Sequence, residues 1–123
     1  MTTLAVKRVY QPPEDGDGTR ILVDRLWPRG MTRDKARIDL WLKDIAPSDA
    51  LRKRFHGRPD DWDAFRAAYA GELSGAAAET AVRSLLDRLR NGPVTLLYAA
   101  RDERHNNAVA LAAWLEQRRA GGS

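Results

Sequence analysis

Apolar residues recur along the chain with two spacings, about two residues and about three and a half, and the change between them separates strands from helices. Residues 4–9 form a short run rich in branched side chains and predict a strand. Residues 11–18, "QPPEDGDG", carry two prolines, two glycines and three acids, a composition that resists both helix and strand and predicts a loop. Residues 21–26, with Ile21, Leu22 and Val23, predict a second strand, stopped by Pro28 and Gly30. Residues 38–45 satisfy both spacings. Ile38, Leu40 and Leu42 alternate with Asp39, Trp41 and Lys43, while Ile38, Leu42 and Ile45 fit one helix face. We read the alternation as a short strand.

The helical spacing then takes over. Ser48 is a good N-cap and Asp49 suits the positive start of a helix, with Leu51 and Phe55 four apart on one face. Asp60 or Asp61 can cap a second helix, whose Trp62, Phe65, Tyr69 and Leu73 fall on one stripe. Residues 76–90 hold Val82, Leu85, Leu86 and Leu89 at helical spacing, and "NGP" at 91–93 closes that helix. Residues 94–99 are almost wholly apolar, as in a strand covered on both faces at the middle of a mostly parallel sheet. Residues 108–117 predict a last helix, with Ala108, Leu111, Ala112 and Leu115 facing inward. The order predicts a single α/β layered domain over residues 1–118: a mostly parallel central sheet of few strands, with helices packed on it, two to a face. Residues 119–123 read as a disordered tail.

Composition narrows the function classes. A chain of 123 residues, 43% hydrophobic, suits one domain with a real core. Its 21 basic residues face 17 acidic ones, for a net charge of +4. That mild excess favours anionic partners but leaves most charges on a mixed, solvated surface. There is no cysteine, which excludes disulfides, thiol nucleophiles and thiolate metal sites. The first ten residues lack the apolar core of a signal peptide, and no apolar run reaches membrane-spanning length, so a soluble cytoplasmic protein with no membrane partner is expected.

The candidate chemistry lies where strands end. The strand at 94–99 delivers the chain to "ARDERHNNA", and the helix that follows brings free N–H groups that favour an anion. Arg101 adds a forked cation suited to phosphate or carboxylate, His105 a group that titrates near neutral pH, and Asn106 and Asn107 amide donors and acceptors. The structural alternative makes Asp102 an N-cap and leaves the asparagines facing solvent. The turn has no glycine, so no phosphate cradle is specified. "VDRLWPRG" at 23–30 ends another strand and carries Asp24, Arg25, Trp27 and Arg29. If the two strands are parallel neighbours, both clusters meet at one edge, walled by Trp27 and Tyr98. The alternative is an ion pair of Asp24 with Arg25 or Arg101 that only fixes the turn.

Three blocks, "RILVDRLWPRG", "DLWLKDIAPSDALRKRF" and "GPVTLLYAARDERHNNAVAL", resemble the YeaO-like branch of the domain-of-unknown-function family 488. The similarity runs from Val6 to Leu115. It implies a small cytoplasmic α/β domain and supplies no agreed activity. The matching motif positions are Asp24, Arg25, Trp27, Pro28, Arg29, Trp41, Pro47, Arg101, Asp102, His105 and Asn106. Other branches place a Cys-His-Arg run after the last strand. This chain has residues 101–107 there and no cysteine, so thiol chemistry does not carry over.

Outside these clusters, His56 sits at a helix end where the dipole favours it, with reach into a neighbouring cleft as the alternative. The two histidines lack metal-ligand spacing, so neither a metal nor a cofactor is expected. Trp41, Trp62 and Trp114 lie on apolar faces and read as core. Three functions stay open. In the first, Arg25, Trp27, Arg29, Arg101 and Asn106 bind an anionic small molecule; if chemistry follows, Asp24 or Asp102 orients an arginine or acts as base and His105 carries the proton. The second is a nucleic-acid-binding or regulatory accessory module, which needs basic residues on one face. The third is an interaction module with no site. The oligomeric state is left open.

Overall fold

The most apolar run of the chain forms one of the two inner strands of the sheet. In the computed structural model, which describes residues 3–56 and 58–121, strand β4 (Val94–Tyr98) is buried along all five residues. It lies between β1 (Leu4–Arg8) and β2 (Thr19–Leu22), and β3 (Leu40–Trp41) extends the sheet beyond β2. The order is β1-β4-β2-β3 and every pairing is parallel, with Val6 opposite Leu96 and Ile21 opposite the same residue on the other side. The expected α/β class with a mostly parallel sheet is what the chain forms.

Five helices accompany the strands: α1 (Arg33–Ala36), α2 (Asp49–Phe55), α3 (Trp62–Leu73), α4 (Glu79–Asn91) and α5 (Asn107–Gly121). Ser48 caps α2 as expected, its Oγ accepting from Leu51 N at 3.1 Å. The stripe of α4 buries Val82, Leu85 and Leu89. Each such side chain contributes about 1.5–3 kcal/mol by leaving water. Strand β2 is shorter than the expected 21–26, because Val23 makes the last ladder-like bond, N–H to Leu97 O at 3.1 Å, before the chain turns away. The expected strand over 38–45 shrinks to Leu40–Trp41, and Lys43–Ile45 folds into a 3-10 turn that buries Ile45. Helix α1 has no counterpart in the sequence analysis; Thr32 caps it through Lys35 N at 3.1 Å. Helix α5 takes in Arg119 and the two residues after it, where a tail was expected, and residues 122–123 of that tail lie outside the described residues.

The helices do not divide evenly between the faces. One face carries the main core, in which Ile21, Val94 and Leu96 meet buried residues of α2 to α5, among them Leu51, Tyr69, Leu85 and Leu111. The other face has a small cluster, Val9, Leu22, Ala36, Ile38 and Leu97, covered by one-turn α1 and by loops. The expectation of two helices to a face is corrected accordingly. Short α1 leaves little apolar cover there, and charge fills part of the gap. Arg20, 1% exposed, donates to Asp17 Oδ2 at 2.6 Å and to Ala36 O at 2.9 Å, and Lys7 reaches Asp17 Oδ1 at 3.1 Å. This cluster straps the 11–18 loop against the sheet and leaves the carboxyl ends of the strands free.

Candidate functional site

Strands β2 and β4 are hydrogen-bonded parallel neighbours, so their carboxyl ends open on the same edge. Asp24 holds that edge together. Its Oδ2 accepts from Ala99 N at 2.9 Å, and its Oδ1 accepts from Asn107 Nδ2 at 3.0 Å; the same amide also donates to Val23 O at 3.0 Å. One carboxylate thus ties the end of β2 to the end of β4 and to the first residue of α5. Burial pushes the Asp24 carboxyl above the usual carboxylate range, against the pull of the Asn107 and Ala99 N–H groups and the charge of Arg52. The alternative ion pair of Asp24 with Arg25 or Arg101 does not form among the described residues. Arg25 instead donates from Nε to Pro47 O and from Nη2 to Ala46 O, both at 3.3 Å.

Above this edge opens a cleft of about 760 Å³. All eight residues singled out in the sequence, Asp24, Arg25, Trp27, Arg29, Arg101, Asp102, His105 and Asn106, line it. Tyr98, expected on its wall, is buried in the main core and does not line it. Its place is one residue short of the turn, with the side chain on the helix-covered face. The cleft takes five arginines and two aspartates, Arg52 and Arg58 joining those already named. Among the described residues the guanidinium groups of Arg29 and Arg101 have no hydrogen bond and no ion pair, and Arg101 is exposed.

The turn after β4 is built by its own polar side chains. Asp102 Oδ1 accepts from Arg104 N at 2.9 Å and His105 N at 3.0 Å, and these bonds hold its carboxyl below the usual range. Asn106 is buried, donates to Asp102 O at 2.9 Å, and caps α5 by accepting from Val109 N at 2.9 Å. The cap expected at Asp102 therefore falls four residues later. One N–H of the helix start is already used, and neither asparagine faces solvent idly. His105 Nδ1 stands 3.7 Å from Asp102 Oδ2, beyond hydrogen-bond reach, and its ring lies 4.9 Å from that of Trp62.

Sequence reasoning missed the second half of the lining. Phe55, Trp62 and Phe65 fit helix stripes and were indistinguishable from core, yet they are only partly buried and face the cleft. His56, the residue after α2, was not missed: it reaches the same space, as its alternative reading had it. The signal available in the sequence was the density of rings around one histidine-bearing helix end, which a single stripe does not separate from packing.

A small parallel α/β domain with an arginine-lined cleft at the strand ends is the class that the fold and geometry define. The family model described as "Inactive DUF488-N3 subclade" matches residues 3–121, and the chain belongs to this family, in its YeaO-like branch. It is 49% identical over 109 residues to the uncharacterised protein YeaO of Escherichia coli (strain K12), across 89% of this chain and 93% of that protein. It is 40% identical over 117 residues to the uncharacterised protein Rv3073c of Mycobacterium tuberculosis (strain H37Rv), across 95% of this chain and 97% of the relative. The uncharacterised protein Mb3100c of Mycobacterium bovis is similar to the same degree. No solved structure matches the chain. No helix among the described residues is long and apolar enough to cross a membrane.

Proposed function

We propose that the strand-end cleft binds a small anionic molecule, a phosphate or a carboxylate, and does not turn it over. The observation that carries this reading is that Arg29 and Arg101 line the cleft with guanidinium groups unpaired among the described residues, whereas Arg52 and Arg58 are paired with Asp49 at 3.1 Å and Asp61 at 3.9 Å. An unpaired guanidinium presents a planar fork of donors matched to carboxylate and phosphate oxygens. Arg25, held by the Ala46 and Pro47 carbonyls, adds fixed positive charge beside Asp24. Trp27 supplies apolar wall. Asp24, Asp102 and Asn106 serve as the scaffold of the cleft, because their polar atoms are engaged in the turns.

Proton transfer is poorly served. Both Asp24 oxygens already accept bonds, and at 3.7 Å no hydrogen bond joins Asp102 to the His105 imidazole. The description of the family as an inactive subclade is in keeping with binding alone. The nucleic-acid reading is served less well where arginines away from the cleft are paired with neighbouring acids, Arg83 with Glu79 at 2.6 Å and Arg90 with Asp87 at 3.4 Å. A cytoplasmic setting belongs to the same proposal.

The test is thermal unfolding in a series of phosphates, carboxylates and neutral controls. A ligand at about a hundred times its Kd adds about 2.7 kcal/mol to stability, which raises Tm by several degrees. Anions are expected to stabilise the wild type, and Arg101→Ala to lose most of that gain. Identical shifts in Arg101→Ala and wild type would defeat the reading.

A further inference from the structure

We infer that the molecule this cleft takes has a flat aromatic body joined to its anionic group. The inference rests on the anion reading above and adds the chemical class of the rest of the ligand. Among the described residues the large apolar side chains that remain exposed are Tyr10, Leu26 and Trp27, at 40%, 63% and 36%, and all three line this one cleft. Apolar surface left open in a concave site beside unpaired cations marks a place where a ligand, not the protein core, covers it.

The rest of the lining favours a ring over an aliphatic body. Helix α3 and the end of α2 bring a run of rings to the cleft: Phe55 against Phe65 at 5.7 Å, Phe65 against Trp62 at 5.7 Å, and Trp62 against His105 at 4.9 Å. Trp27 is held edge-on to Trp41, with centroids 5.2 Å apart, and its Nε1 donates to Met31 O at 2.7 Å. Its polar atom is therefore occupied, and what it offers the cleft is ring surface. A planar ligand ring gains offset stacking on such surfaces and a guanidinium face from the arginines nearby, and a saturated body of the same size gains neither. A cleft of about 760 Å³ has room for a two-ring body with its charged group.

The experiment is an NMR titration of the full chain with 2-naphthoate, its saturated counterpart decahydro-2-naphthoate, and the uncharged 2-naphthamide. The indole and main-chain N–H signals of Trp27 and Trp62 report the site. The expected result is that 2-naphthoate binds about fivefold or more tighter than the saturated acid, and tighter still than the amide. Equal affinity for the two acids overturns the aromatic inference and leaves the anion reading standing. Equal affinity for 2-naphthoate and 2-naphthamide removes the anion reading, and the inference as stated with it. Failure of all three to bind overturns both. In Trp27→Leu, with its fold checked by the main-chain spectrum, the preference for the aromatic acid is expected to shrink; an undiminished preference counts against Trp27 as a stacking surface.

Discussion

The main-chain N–H of Ala99 donates to the carboxylate of Asp24 at 2.9 Å, joining the residue just past β4 to the residue just past β2. The second oxygen of that carboxylate takes the side-chain amide of Asn107. The floor of the cleft is therefore one three-way junction, and the arginines around it are placed by the backbone it fixes.

Asp24→Ala leaves the Ala99 N–H without its acceptor and the Asn107 amide with Val23 O alone, in a half-buried place, and we expect it to cost about 2–3 kcal/mol in urea denaturation. Asn107→Ala, which removes the donor side, is expected to cost less. The charge adds a pH dependence of definite sign. Burial raises the Asp24 pKa above its ordinary 3.8, so the native chain keeps this proton to higher pH than the unfolded chain. The stability contributed by this group then falls as pH rises from the ordinary carboxylate range through the raised value. Asp24→Asn is expected to lack that slope.

Asp17 behaves in the opposite sense. Its burial tends to raise the pKa, but the Glu14 N–H, Lys7 and Arg20 together outweigh it and hold the carboxyl below the ordinary range. Its contribution is fully present above the ordinary carboxylate value and is lost as pH falls through the lower native one. Asp17→Asn strands the buried Arg20 guanidinium, whose Nη2 has no partner even in the wild type, and we expect a loss of about 3–5 kcal/mol at neutral pH. The difference between wild type and variant should narrow in acid, as measured by chemical denaturation across pH 2–6.

Gly18 and Gly30 separate backbone strain from crowding. Both have positive φ, 66° and 74°. A Cβ on Gly18 would stand 2.2 Å from Pro93 O, whereas one on Gly30 meets nothing within 4 Å. Gly30→Ala is expected to cost about 1–2 kcal/mol for the left-handed conformation. Gly18→Ala adds displacement of the Pro93 backbone where Thr19 N bonds to Pro93 O at 3.0 Å, and should cost clearly more. Equal losses in thermal unfolding would contradict that geometry.

Much of the sheet was legible because one inner strand, 94–98, is apolar on both faces, and only a covered strand tolerates that. Ser48 and the "NGP" stop were legible because capping and helix ends are local chemistry. The strand lengths were not, since β2 ends where Asp24 turns to Ala99, a partner 75 residues away. The meeting of Arg25 and Arg101 in one cleft depended on β2 lying beside β4, which one sequence does not specify. Residue types at the strand ends were enough to point to Arg25, Arg29, Arg101, Trp27 and His105, but not to Arg52 and Arg58. The role of Asn106 as helix cap, and of Phe55, Trp62 and Phe65 as lining, waited on three-dimensional placement.

The central claim is that Arg29 and Arg101 meet an anion in this cleft, and their guanidinium N–H signals test it most directly. In a ¹⁵N-edited NMR titration with inorganic phosphate, we expect the Arg29 and Arg101 Nε–H resonances to move first and saturably, while those of Arg83 and Arg90, paired with their own acids, stay in place. Equal, unsaturable movement of all four would mean that phosphate meets only a basic surface, and the account of a built site would be wrong.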